Sequence, residues 1–151
     1  MTVSQALVKL SAYEKLMFTY NHASGLMYYD GATVAPKGSA DLRADTLGEL
    51  ARLSYALTTA PETVEMLRTL VEARDRLDPV TARKVSELWR DYEQTHRIPQ
   101  EEFVAYQQLV SKADAVWHEA KERSDYALFE PYLQRIFDSC RRLAGYRQPE
   151  K

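Results

Sequence analysis

The sequence predicts an all-α protein, about six antiparallel helices in one bundle-like domain spanning residues 1–151. Three observations carry this expectation. Apolar residues recur at three- and four-residue steps along most of the chain, the spacing of helix faces. The six prolines (Pro36, Pro61, Pro79, Pro99, Pro131 and Pro149) fall between those stretches, where a residue lacking an N–H belongs in a loop or first helical turn. No segment alternates at period two for long, and the five glycines do not form hairpin turns.

The elements follow in order. A first helix is predicted over about Ser4 to Tyr28, with Leu7, Leu10, Tyr13, Met17, Tyr20 and Met27 as its apolar stripe. A second runs over about Ser39 to Thr58, with Leu42, Leu47, Leu50, Ser54 and Leu57 on one face. Thr59-Ala60-Pro61-Glu62 reads as a capping box for a short third helix carrying Val64, Leu67 and Val71. Asp78-Pro79 opens the fourth, with Asp at the N-cap and Pro at the first helical position. Its stripe is Val85, Leu88, Trp89, Tyr92 and His96. Ile98-Pro99 opens the fifth and longest, lined by Phe103, Tyr106, Val110, Ala113, Trp117 and Ala120. Ser124-Asp125 breaks it, and a sixth, beginning near Pro131, follows with Phe129, Leu133, Ile136, Phe137, Cys140 and Leu143. The short connections make successive helices neighbours.

Composition narrows the function. Hydrophobic residues make up 45% and charged residues 28%, with a net charge of −2. This is the balance of a globular domain that buries a core and argues against a nucleic-acid partner. Arg135, Arg141, Arg142, Arg147 and Lys151 outnumber Asp138 and Glu150 near the end of the chain, which reads as cations favoured by a helix C-terminus. Cys140 is the single cysteine, so no disulfide forms within the chain. It is expected as a small core residue. The first fifteen residues carry Lys9, Glu14 and Lys15 and do not resemble a secretory signal. No apolar run reaches the length of a membrane span, and a cytoplasmic location is expected.

Few residues suggest chemistry. Trp117-His118-Glu119-Ala120-Lys121-Glu122 is half of an HExxH motif, with Glu122 where the second histidine belongs. HExxH works because two histidines one turn apart grip one zinc beside a general base. With the partner missing and Trp117 assigned to the buried face, His118 is expected on the surface. Glu93-Gln94-Thr95-His96 is an isolated Glu-x-x-His, where di-iron bundles need two. His22, His96 and His118 lie on three different predicted helices. No phosphate loop, nucleophile elbow or S-x-x-K accompanies them. Of the tyrosines, adjacent Tyr28 and Tyr29 cannot both point inward, so one is expected at a rim beside Asp30.

The densest information lies in Leu26 to Leu50, LMYYDGATVAPKGSADLRADTLGEL. Asp30 and Thr33 are expected to bond backbone groups where the first helix ends. Gly38 is expected to supply an unusual φ, Ser39 to cap the second helix, and Arg43 to pair with Asp30 across the crossing. Leu26, Met27, Tyr28, Tyr29 and Asp30, then Thr33, Pro36, Gly38, Arg43, Leu47 and Leu50, resemble the opening helical hairpin of the carboxypeptidase Taq family, zinc metallocarboxypeptidases of the HExxH class. That hairpin reads Leu-Leu-Gly-Trp-Asp, then Thr, Pro, Gly and Arg; here Tyr29 stands in place of Trp, Ala35 of a common Met and Tyr55 of a common His. A second block agrees in order: Arg90-Asp91-Tyr92, Pro99, Ser111, Ala113, Trp117, Asp125-Tyr126, Phe129-Glu130-Pro131, Leu133, Ile136 and Arg141.

The resemblance implies the N-terminal helical domain of such an enzyme, walling or capping a groove over a zinc centre whose HExxH helix and third ligand lie elsewhere. No catalytic, cofactor-binding or metal-ligating residue is therefore assigned to this chain, and zinc belongs to the full-length family. Alone the chain is expected not to hydrolyse peptides. Its expected partners are a second copy of itself or the catalytic remainder of the peptidase, with no nucleic acid and no membrane. A non-catalytic interaction or dimerisation module is the competing reading. A metal-binding bundle using Glu93, His96 and His118 is a distant third.

Overall fold

The computed structural model describes residues 1–147, with only the backbone at Lys37. Pro149, Glu150 and Lys151, which entered the reading of the chain's end, lie outside the described residues. Among the described residues there are six α-helices and no strand: α1 Val3–Thr33, α2 Ala40–Thr59, α3 Pro61–Glu72, α4 Pro79–Thr95, α5 Gln100–Arg123 and α6 Tyr126–Tyr146. Two 3-10 turns, Lys37–Ser39 and Arg74–Arg76, precede α2 and α4. The all-α expectation is met, and most boundaries fall within a few residues of the predicted ones.

The ends that moved did so for local reasons. Thr2 and Gln5 exchange bonds at the start of α1: the Gln5 amide donates to Thr2 Oγ1 at 3.2 Å, and the Thr2 amide to Gln5 Oε1 at 2.9 Å. This is a capping box that the helical stripe alone did not reveal. The box expected at Thr59 does not form. Ala60 is the N-cap of α3, without a side-chain cap, because Thr59 Oγ1 instead donates to the Tyr55 carbonyl at 2.8 Å. Helix α6 begins at Tyr126, before Pro131, which lies inside it. Asp125 accepts from the Leu128 amide at 3.3 Å and so starts the helix earlier than the proline suggested. Ser124, at φ 52°, is the left-handed residue that ends α5. The Asp125 amide then returns to the Ala120 carbonyl at 2.8 Å, as such helix ends require.

Asp78 caps α4 as expected, accepting from the Val80 and Thr81 amides, both at 3.1 Å. The Thr81 hydroxyl and these amides hold its carboxyl below the usual carboxylate range. A depressed native value means the cap contributes stability above the unfolded pKa of about 4, lost as pH falls through the native one. Asp78→Ala is expected to lower the melting temperature at pH 7, with the gap to the parent closing in acid. A gap unchanged between pH 7 and pH 3 would contradict the carboxylate as the stabilising group.

The contacts divide the chain into two compact units, Met1–Asn21 with Leu53–Arg97, and His22–Arg52 with Ile98–Lys151. In the first, Ala6, Leu10 and Tyr13 of α1 pack with Met66, Leu67 and Leu70 of α3 and Val85 of α4. Leu57, Leu88, Trp89 and Tyr92 close around that cluster. Burial raises the Tyr13 phenol above its ordinary pKa, and its hydroxyl lies 3.4 Å from Thr58 Oγ1. Lys84 reaches Glu14 at 2.6 Å on the outside. Partly exposed pairs of this kind contribute roughly 0–1 kcal/mol each, whereas one fully buried Leu contributes about 1.5–3, so the apolar cluster holds the unit.

In the second unit, α5 and α6 form a helical hairpin, and the first part of α2 lies along α5 in the opposite direction. Asp41 meets Lys112 at 3.3 Å, Asp45 meets Gln108 at 3.5 Å, and Arg52 meets Glu101 at 3.0 Å. Gly48 makes this approach possible: a Cβ there would sit 2.6 Å from Gln108 Nε2.

Candidate functional site

The hairpin that carries the family-like pattern is built differently from its expected form. Helix α1 runs on through Asp30 to Thr33, so Asp30 sits inside the last turn rather than capping it. Its backbone carbonyl accepts from both the Val34 amide at 3.0 Å and the Ala35 amide at 2.9 Å, satisfying exposed groups at the helix end. Thr33 does act there, its hydroxyl donating to the Tyr29 carbonyl at 2.6 Å. The crossing then turns at Pro36, φ −58° and ψ 140°. Ser39 Oγ donates back to the Pro36 carbonyl at 2.7 Å. No glycine among the described residues has a positive φ, so Gly38 does not use its conformational freedom.

Arg43 does not take the partner expected for it. Among the described residues it pairs with Ser39, Nη1 donating to Oγ at 3.1 Å, and not with Asp30. Its guanidinium lies flat against Gly31, where a Cβ would sit 2.6 Å from Cζ. The arginine thus fastens the crossing through a hydroxyl and an open glycine surface, and Asp30 remains exposed. Both Tyr28 and Tyr29 are exposed, so the rim holds two rings rather than one.

His96 and His118 are engaged in local contacts. His96 Nδ1 lies 2.9 Å from the Tyr92 carbonyl, and its ring stacks on the Tyr92 ring at 4.7 Å. It is exposed rather than part of the α4 stripe. His118 Nε2 is 3.9 Å from Asp114, with its ring edge toward Trp117 at 4.7 Å. Lys121 stands over the same indole at 5.1 Å. His22 is exposed on α1. Trp117, expected inside, is also exposed, because α5 buries Val104 and Leu109 with the expected Ala113 and Ala120. Among the described residues, no group of three or more His, Cys, Asp or Glu is placed to hold a metal ion. A catalytic zinc needs three protein ligands and an open position, and the described residues do not fit one.

Where α5 meets α6 there is a pocket of about 280 Å³, lined in part by Glu102, Tyr106, Leu109, Arg135, Asp138 and Arg142. Its charges are largely engaged with one another. Glu102 accepts from Tyr146 at 2.7 Å and faces Arg142 at 3.5 Å. Arg142 also donates to Ser139 at 3.1 Å, and Asp138 holds Arg141 at 3.1 Å. Cys140 is exposed rather than buried, since α6 turns Ser139 inward in its place, while Leu143 is buried as expected. Tyr106 Oη meets its Sγ at 3.6 Å. That contact, with partial burial, raises the Tyr106 pKa. Glu102 is the residue that spacing did not single out, because its partners lie some forty positions away on another helix.

These surfaces define a helical scaffold whose described residues gather no metal-ligand set. The chain belongs to the carboxypeptidase Taq (M32) metallopeptidase family, whose model matches residues 9–151. It is 33% identical to carboxypeptidase 1 of Bacillus subtilis over 92% of this chain and 29% of that protein. Thermostable carboxypeptidase 1 of Thermus thermophilus is 30% identical over 91% of this chain and 27% of that protein. Among solved structures, BsuCP superposes with a TM-score of 0.84 at 33% identity, covering 93% of this chain and 30% of that one. A Pyrococcus furiosus carboxypeptidase structure gives 0.66 at 28% identity, covering 100% of this chain and 29% of that one. The chain therefore spans less than a third of the length of the relatives it matches. Among the described residues, no helix is long and apolar enough to cross a membrane.

Proposed function

We propose that this chain serves as the N-terminal helical portion of a metal-dependent carboxypeptidase, forming wall or cap of the groove through which peptides present their C-termini to a zinc centre. The observation that carries the reading is the correspondence of 93% of the chain to under a third of a carboxypeptidase at a TM-score of 0.84. That the described residues gather no metal-holding group supports the second half of the proposal, that the chain is not catalytic alone. Activating water at neutral pH takes a coordinated metal with an open position. A cytoplasmic location is part of the same proposal, supported by a chain with a single cysteine.

Two assays test it. The 151-residue protein supplied with zinc or cobalt is expected to release no residue from C-terminally unblocked peptides, and turnover would overturn the non-catalytic half. A chimera in which this chain replaces the matched segment of the Bacillus subtilis enzyme is expected to retain carboxypeptidase activity. An inactive chimera would overturn the assignment itself. The exposed apolar residues support a second reading, self-association, which sedimentation over a concentration series tests. A monomer at every concentration would remove it.

A further inference from the structure

On the outer face of α1 beyond Asn21, large apolar side chains lie exposed between His22 and Asp30. Leu26 is 57% exposed and Tyr29 68% exposed, and a three-residue step puts them side by side. Tyr28 on the flank is 62% exposed, and Val34, just past the helix end, 80%. The run Ala23 to Tyr29 contains no charged residue, unlike the polar outer face of an ordinary surface helix. The opposite side of this segment is already partly covered: Ala23, Ser24, Met27 and Gly31 are half-buried, with Arg43 against Gly31. Gly25, on the outer side, has nothing within 4 Å of where a Cβ would stand. Large amphipathic rings and aliphatic chains collected this way mark surfaces that become buried against protein.

We propose that this face, centred on Leu26 and Tyr29, docks against the polypeptide that forms the rest of a Taq-type carboxypeptidase, an inference that rests on the function proposed above. The relatives say how much polypeptide is available to cover it. This chain accounts for only 29%, 27% and 28% of the Bacillus subtilis, Thermus thermophilus and Pyrococcus furiosus proteins. In each, most of the protein lies outside the matched segment, enough to bury a face that this chain leaves in water. Carrying two phenols, with Asp30 exposed at its edge, the face fits an apolar surface offering hydrogen-bond partners at its rim.

The test compares the same substitutions in two settings. Leu26→Gln with Tyr29→Gln replaces both side chains by good helix formers. In the 151-residue protein the pair is expected to move the melting temperature by less than about 2 °C, as for exposed sites. In the chimera with the Bacillus subtilis enzyme it is expected to lower the melting temperature by at least about 5 °C. Tyr29→Phe, which keeps the ring, is expected to leave both within about 2 °C. An active chimera whose melting is unmoved by the Gln pair overturns the docking face and leaves the function standing; an inactive parent chimera overturns both. Equal loss in the two settings also overturns it, by showing a role within this chain. So does a dimer of the isolated protein that the Gln pair dissociates, which would make a second copy the occupant.

Discussion

Leu67→Ala is expected to destabilise the protein by about 2–5 kcal/mol. Leu67 is fully buried, at the centre of a cluster that includes Met66, Leu70 and Val85 with Ala6, Leu10 and Tyr13. The loss has two parts, the burial of the missing atoms and the cavity left among neighbours already held in place. Those neighbours come from three helices, so no single element can shift to fill the space. Chemical denaturation followed by circular dichroism measures it. Leu26→Ala is the contrast: an exposed side chain of the same type, expected to change stability by less than about 0.5 kcal/mol. A loss under about 1 kcal/mol at Leu67 would mean that the first unit is not packed as described.

The second large effect falls in the other unit. Leu109→Ala is expected to cost about 2–4 kcal/mol, because Leu109 is nearly buried in α5 and lines the same pocket as Leu143 of α6. Truncating it deepens the pocket without removing any of the charges around it. Glu102, Arg142 and Tyr146 keep their mutual bonds. Cys140→Ser tests the alternative, that the polar edge matters more than the apolar floor. The thiol is exposed and its contact with Tyr106 is long, so this change is expected to stay within about 0.5 kcal/mol. If Cys140→Ser costs more than Leu109→Ala, the pocket is held by its rim, and packing is not what joins α5 to α6.

Both expectations concern architecture, and this fits what the surfaces show. His96 is engaged with Tyr92, and His118 lies beside Asp114 and Trp117. The half-motif at Trp117-His118-Glu119 belongs to a helix surface where Glu119 pairs with Arg123 at 2.7 Å. The isolated Glu-x-x-His belongs to a helix end, where exposed Glu93 and His96 meet no ligand set among the described residues. Among the described residues, these side chains serve local contacts on helix surfaces and gather no group that could hold a metal ion.

By itself the sequence determined the helices. Three- and four-residue apolar spacing, six prolines as punctuation, and Asp78-Pro79 as a start signal are local properties, and a helix is bonded locally. The order of residues in two blocks was equally legible, and it pointed to the family. What only the tertiary structure decided was which flank of each helix is covered. Cys140 and Trp117 gave way to Ser139, Val104 and Leu109 at buried positions, because a stripe several residues wide can be rotated by one position without changing its period. Arg43 chose Ser39 and the bare surface of Gly31 over Asp30, a choice that depends on three-dimensional approach across the turn. Spacing placed one of Tyr28 and Tyr29 at a rim, but that both are exposed was not legible in it, since burial depends on neighbours from distant parts of the chain, and spacing along one helix does not name them.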